Sequence, residues 1–170
     1  MFRNMRRFKQ LLPQEMAVEI LNRNTSGTLA LSGEDGYPYA VPISYVYVDE
    51  KLYFHSAKIG HKIDAIKKHE KVSFCVIDQD KIVPEKYTTY LRSVIAFGKA
   101  YLVDDMEEMR RIATALAMKY SADFNDGIQK EIDSSIKNMV IIEMRIDHMT
   151  AKEAIELVKM ERNERELCVR

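Results

Sequence analysis

The residues with the most chemistry in the shortest span are His55-Ser56-Ala57-Lys58-Ile59-Gly60-His61-Lys62. A strand ends at His55-Ser56, the chain turns through Gly60, and a helix opens with His61 and Lys62 in its first turn. A cation at a helix N-terminus opposes the macrodipole and costs typically ~0.3–1 kcal/mol for a full charge. A bound anion reverses that sign. The exposed N–H groups of the helix start, the Ser56 hydroxyl and the Lys62 ammonium could together hold a phosphate dianion, and Gly60 lets the backbone come close. The spaced glycines of a Walker loop or a dinucleotide fingerprint are missing, so one phosphate is a better match than a pyrophosphate. The plainer reading is that Lys58, Lys62, Lys67 and Lys68 with Asp64 solvate a helix face, while His55 is a half-buried strand residue bonded to a carbonyl.

A second cluster is Tyr90-Leu91-Arg92-Ser93-Val94. On a strand Arg92 and Ser93 point opposite ways, one able to meet an anion and the other to hydrogen-bond a planar heterocycle. Arg92 serves equally as a surface ion-pair partner. The four histidines (55, 61, 69, 148) have no tight ligand spacing with cysteines or carboxylates, which disfavours structural zinc. There is no Gly-x-Ser-x-Gly, and neither Cys75 nor Cys168 sits in a Cys-His signature, so hydrolase chemistry is disfavoured too.

The elements that must position these residues follow from composition and period. The chain has 170 residues, 46% hydrophobic and 31% charged, as a folded globular protein carries. Lys plus Arg and Asp plus Glu are 26 each, so no global field draws nucleic acid or anionic lipid. The start carries Arg3, Arg6, Arg7 and Lys9 and reads as a solvated or partner-covered arm; no apolar run approaches the ~20 residues of a membrane span. A cytoplasmic protein is expected, with one domain over residues 1–170, a core over about 11–158 and a flexible final ten residues. Residues 13–23 suit an amphipathic helix opened by Pro13. Strands are expected over 28–31, 39–48, 51–57, 71–77, 91–103 and 139–146, with a turn at Asp35-Gly36. Short helices are expected near 59–66 and 128–136, and a firmer one after Asp104, where Glu107 completes a capping box. Thr150 and Glu153 repeat that pattern ahead of Ala154, Ile155 and Val158. Tight turns between most strands argue for an antiparallel sheet with peripheral helices, and six such strands curl into a small barrel. The 39–48 strand is apolar on both sides, which points to a second partner outside the barrel: a second copy of the chain or a flat ligand.

The runs GTLAL, DGYPYAVPISYVY, LYFHSAKIGHKIDAI, YLRSVIAFGKAYLV and DHMTAKEAIEL, in that order, resemble the Nim-type nitroimidazole-resistance flavoproteins. These belong to the pyridoxamine-5′-phosphate-oxidase-like superfamily of FMN-binding split barrels. The resemblance spans roughly residues 11–158 and implies a six-stranded split barrel that dimerises with two FMN molecules at the subunit interface. It places the phosphate against Ser56, Ala57, His61 and Lys62, and the isoalloxazine along the backbone of Ile43 and Ser44 with Ser93 and Val94 nearby. His55 matches the histidine that the family places near the flavin. Ala151 departs from the glycine common there in a Thr-Gly-Lys segment. The implied activity is an FMN-dependent reductase of small planar acceptors such as nitroaromatic compounds, with His55 as proton donor. The rival is a non-catalytic flavin- or haem-binding storage or sensor protein, in which His55 and His61 would be candidate axial ligands. Oxidation of pyridoxamine phosphate itself is less expected, for want of a second set of basic residues.

Overall fold

A computed structural model describes residues 1–160 and places eight strands in one antiparallel sheet. They are β1 (Leu11–Leu12), β2 (Ser26–Ser32), β3 (Pro38–Ser44), β4 (Val46–Val48), β5 (Lys51–Ala57), β6 (Lys71–Val83), β7 (Thr88–Val103) and β8 (Met139–Glu153). The helices are α1 (Gln14–Arg23), α2 (His61–Lys68), α3 (Met106–Ser121) and α4 (Asn125–Ser135). The strands pair in the order β3-β2-β6-β7-β8-β5-β4, with β1 added to β8. The two edge strands of that path, β3 and β4, are consecutive in the chain and separated by Tyr45 alone. The sheet therefore curls until its edges meet without a hydrogen-bonded seam, which is a split barrel. The final ten residues, expected to be flexible, lie outside the described part.

The expected class, mainly β with peripheral helices, is the one found, but with eight strands in place of six. One extra strand arises because the expected run over 39–48 breaks at Tyr45. The Tyr45 side chain is fully buried, and its N–H donates to the Tyr120 hydroxyl at 2.9 Å instead of to a neighbouring strand. The other is the two-residue β1, paired with Ala151 and Lys152 and too short to have a period. The sheet also runs on through Thr150 and Glu153, where a helix cap was expected. Both β1 and β7 capture that stretch in their ladders, and helix begins only at Ile155. The α3 cap is Asp105 rather than Asp104, its Oδ1 accepting the Glu108 N–H at 2.7 Å. Gly36 takes φ 79°, as the Asp35-Gly36 turn requires.

Two apolar layers hold the site in place. Inside the barrel, Leu29, Phe54, Phe74, Val76, Val94 and Met144 pack with Ala17, Ile20 and Leu21 of α1. On the outside of β5 and β8, Tyr53 and Ile141 are covered by Ile112 and Leu116 of α3 and Ile132 of α4. Each fully buried aliphatic or aromatic side chain contributes about 1.5–3 kcal/mol over an exposed one. The outer face of β3, β2, β6, β7 and β8 differs. One row across it reads Pro42, Thr28, Cys75, Ile95, Thr150 and the next Ala40, Ala30, Ser73, Phe97, His148, with no lysine, arginine or carboxylate in either. Phe2 of the N-terminal arm stacks on His148 at 4.8 Å between ring centroids and tilts against Phe97 at 5.5 Å. No helix among the described residues is long and apolar enough to cross a membrane.

Candidate functional site

The split has two sides with unsatisfied backbone. On one, β3 pairs only with β2, so its other edge is open. On the other, β4 covers Lys51, Leu52 and Tyr53 of β5, leaving the edge of Phe54, His55, Ser56 and Ala57 bare. The two strands approach each other across this gap. Alternation places Ser56 on the face of Leu52 and Phe54, toward the barrel interior, and His55 on the face of Tyr53, where it emerges exposed beyond the α3 cover. His55 and Ser56 thus point to opposite faces. A ligand lying along the bare edge meets both, whereas one inside the barrel meets Ser56 alone.

At the end of β5 the chain turns through Gly60, whose φ of 129° is a conformation L side chains rarely adopt, and α2 begins at once. Ile63, Ala65 and Ile66 bury one face of α2 and fix its direction. Its first turn is uncapped by any side chain, and the Gly60 carbonyl accepts from Ile63 and Asp64, so the N–H groups of His61 and Lys62 are left pointing out of the helix start. The His61 ring stacks on Tyr39 of β3 at 4.2 Å and 13°, joining the loop to the opposite side of the split. Lys62 is half-buried, and burial pushes its ammonium below the ordinary lysine range. Among the described residues no carboxylate lies within ion-pair distance of it. An uncapped helix start, an unpaired half-buried cation and a glycine turn together can take a small dianion.

The structure brings together Ser56, Ala57, Gly60, His61 and Lys62 as the spacing suggests, with His55 on the adjoining edge. Ile43 is half-buried and faces inward, while Ser44 turns outward at the far end of the same β3 edge. The second cluster stands apart. His55 registers with Ile141, and Ile141 with Val103, whereas Ser93 lies ten residues further along β7, roughly 33 Å of strand. Ser93 registers with Ile77 of β6, two residues after the Cys75 that pairs with Thr28, while Ser44 registers with Ser26 of β2, two residues before Thr28. The Val94 side chain is in the barrel core, so only its backbone can reach a ligand. Arg92 proves to be an ion-pair partner. Its Nε and Nη2 donate to Glu153 Oε2 at 3.0 and 2.8 Å, and its Nη1 lies 3.6 Å from Asp78. The Glu153 side chain is only 1% exposed, so this cation is committed to the fold.

Other functional features were hidden in the sequence. Tyr120 and Lys119 read as the end of an amphipathic helix, yet both reach Tyr45 at the strand break. Asp78 gathers Arg23 at 2.7 and 2.6 Å and Asn24 at 2.9 Å, tying α1 to β6. No local spacing announces either arrangement, because the partners are 54 to 75 residues apart. A cleft of about 350 Å³ beside the loop, lined by Lys58, Met106, Met109, Lys137, Met139 and Val140, lies on the α3 side of the sheet and does not include Lys62.

A family model described as pyridoxamine 5′-phosphate oxidase matches residues 13–153. Solved structures similar to the chain include the following three. One is a candidate 5-nitroimidazole antibiotic resistance protein from Bacteroides thetaiotaomicron, 22% identical over 84% of this chain and 86% of that one, with a TM-score of 0.69. Another is a conserved protein from Mycobacterium tuberculosis, 20% identical over 88% and 90%, TM-score 0.77. The third is an FAD and haem binding protein from Mycobacterium smegmatis, 20% identical over 86% and 73%, TM-score 0.70. At these identities the likeness is one of fold. No curated protein matches the chain in sequence.

Proposed function

The chain belongs to the pyridoxamine 5′-phosphate oxidase family, and on that premise we propose that it is a cytoplasmic flavoprotein that binds FMN along the split of its barrel and reduces small planar acceptors such as nitroaromatic compounds. One observation carries the reading. Two bare strand edges face each other, and at one end of the gap stands a half-buried lysine, unpaired among the described residues, at an uncapped helix start. A flat ring fits between backbone edges, and a single phosphate fits the cation. The fold neighbour that binds FAD and haem supports flavin as a class, and a loop with room for one phosphate favours the mononucleotide over the dinucleotide.

In this reading Lys62, His61, Ser56 and the α2 N–H groups hold the phosphate, Gly60 and Ala57 allow its close approach, and the backbone of Ile43 and Ser44 orients the ring. Bound FMN would supply electron or hydride transfer to the acceptor. His55, exposed beside the bare edge, delivers a proton to the reduced acceptor, a general-acid role open to an imidazole. Ser93 and the Val94 backbone complete the ring's surroundings from a second copy of the chain. Two observations favour that homodimer: the separation of Ser93 from the phosphate loop within one chain, and the two uncharged rows on the outer sheet face, which suit burial against an identical surface.

The test is to mix the purified chain with FMN and record binding by absorption and fluorescence quenching, mass by ultracentrifugation, and turnover with a reduced nicotinamide and a nitroimidazole. Saturable FMN uptake at one per chain, a dimeric mass and acceptor-dependent oxidation of the nicotinamide are expected. Uptake without turnover would leave a flavin carrier, and a haem spectrum with no flavin uptake would overturn the reading.

A further inference from the structure

The break between β3 and β4 is where a barrel edge would ordinarily lose its hydrogen bonds, since Tyr45 belongs to neither strand. Its backbone is satisfied by one side chain. The Tyr120 hydroxyl accepts the Tyr45 N–H at 2.9 Å and shares its own proton between the carbonyls of Tyr45, at 2.8 Å, and Thr25, which immediately precedes β2. One phenol from α3 thus takes the place of a strand partner and binds β2, β3 and β4 at one point. Around it, the Tyr45 hydroxyl donates to the Leu21 carbonyl in the last turn of α1 at 2.7 Å. The Lys119 ammonium sits 4.1 Å from the Tyr45 ring centroid and donates to the same carbonyl at 3.3 Å. A cation at the carbonyl end of a helix is favourably placed. Among the described residues, every buried side-chain polar atom in this knot has a partner.

We propose that Tyr120, backed by Lys119, is a positioning residue: it fixes the height and angle of the Ile43–Ser44 edge against which the cofactor ring lies, without touching the cofactor. This rests on the flavin reading for its consequence, but the role of the hydroxyl at the strand break stands on the geometry alone. Ser44 is the residue next to Tyr45, so freeing the Tyr45 amide and carbonyl loosens the adjacent edge of β3 while leaving the phosphate loop, at the other end of that strand, unchanged.

The experiment compares Tyr120→Phe with Tyr53→Phe. Tyr53 also loses a buried hydroxyl; its backbone registers with Val46 beside the break, but the hydroxyl donates to the Glu143 carboxylate at 3.1 Å and bonds no backbone group of β2, β3 or β4. Tyr120→Phe is expected to speed hydrogen exchange of the Tyr45 amide at least tenfold. It should raise the dissociation constant for FMN about tenfold and shift the flavin absorption bands toward those of free FMN. Tyr53→Phe should lower the melting temperature comparably, yet keep FMN affinity within twofold and the bands in place. Equal loss of affinity in both variants would overturn the positioning role, since general loosening would then explain it. Wild-type protein that takes up no FMN would overturn the flavin reading and the cofactor half of this inference with it. Exchange at Tyr45 that is fast in the wild type, or unchanged in Tyr120→Phe, would overturn the role of the hydroxyl whatever the flavin result.

Discussion

Replacing Lys62 by methionine separates a phosphate-binding lysine from a structural one. The methionine keeps the apolar stem and removes the charge. In the free protein the ammonium is half-buried without a carboxylate partner among the described residues, and burial already holds its pKa below the ordinary lysine range. A charge in that position opposes folding, so Lys62→Met should leave the melting temperature of the flavin-free protein unchanged or raise it. In the proposed complex the same ammonium would donate a charge-assisted hydrogen bond to a dianion, worth about 1.5–3 kcal/mol. That corresponds to roughly a 10- to 150-fold rise in the dissociation constant for FMN. Riboflavin, which lacks the phosphate, should bind wild type and variant alike. The wild-type preference for FMN should also decline as pH rises past the depressed pKa of Lys62, and that decline should vanish in the variant. Fluorescence titrations with both ligands at several pH values give all these quantities. If the variant loses FMN and riboflavin to the same extent, or is destabilised when flavin-free, the lysine is a packing residue and the anion site is elsewhere.

Three further outcomes can be measured. His55→Ala should hold FMN within about threefold of wild type while acceptor-dependent turnover falls at least tenfold, the lower range for a lost proton donor; lost binding with normal turnover per bound flavin would make the histidine structural. Arg92→Met strips the Glu153 carboxylate, 1% exposed, of its guanidinium and should cost about 3–5 kcal/mol in urea unfolding, much of it recovered when Glu153→Met is added. A loss below 1 kcal/mol would show that the pair is immaterial. Burial lowers the Lys119 ammonium to about 8, so between that pH and the ordinary lysine value near 10.4 the unfolded chain binds the extra proton and stability should rise with pH. Read as the difference in stability between wild type and Lys119→Met, in which the same-signed contribution of Lys62 cancels, the rise should appear over that pH range, and a flat difference would refute it. Tyr45 and Tyr53, whose hydroxyls burial pushes upward, oppose it only above about pH 10.

The features legible in the sequence are those set by neighbours along the chain. The uncapped start of α2 with His61 and Lys62 in it, the Gly60 turn, the Asp35-Gly36 turn and the amphipathic α3 all depend on residues within a few positions of each other. Besides the one-residue shift of the α3 cap, two local patterns were overruled. Thr150 and Glu153 have the spacing of a helix cap, but β7 and β1 offer a full ladder to that stretch, and Arg92 supplies the cation that lets Glu153 be buried. Residues 39–48 look like one strand because every residue there tolerates extended backbone. What breaks the strand is Tyr120, 75 residues away. Arg92 had the right charge for an anion site, and only the fold shows that Glu153 and Asp78 already occupy it.

A barrel left open along one side carries a hazard that closed barrels escape, because any bare strand edge can recruit a foreign strand and seed aggregation. Here the exposed edge of β3 contains Pro38 and Pro42, which a ladder tolerates where the ring nitrogen faces away from the partner. Of the outward positions 38, 40, 42 and 44, two therefore lack a donor. An intruding strand finds a ladder with missing rungs, while Ser44, at the end of the row, still offers its N–H to something smaller than a polypeptide.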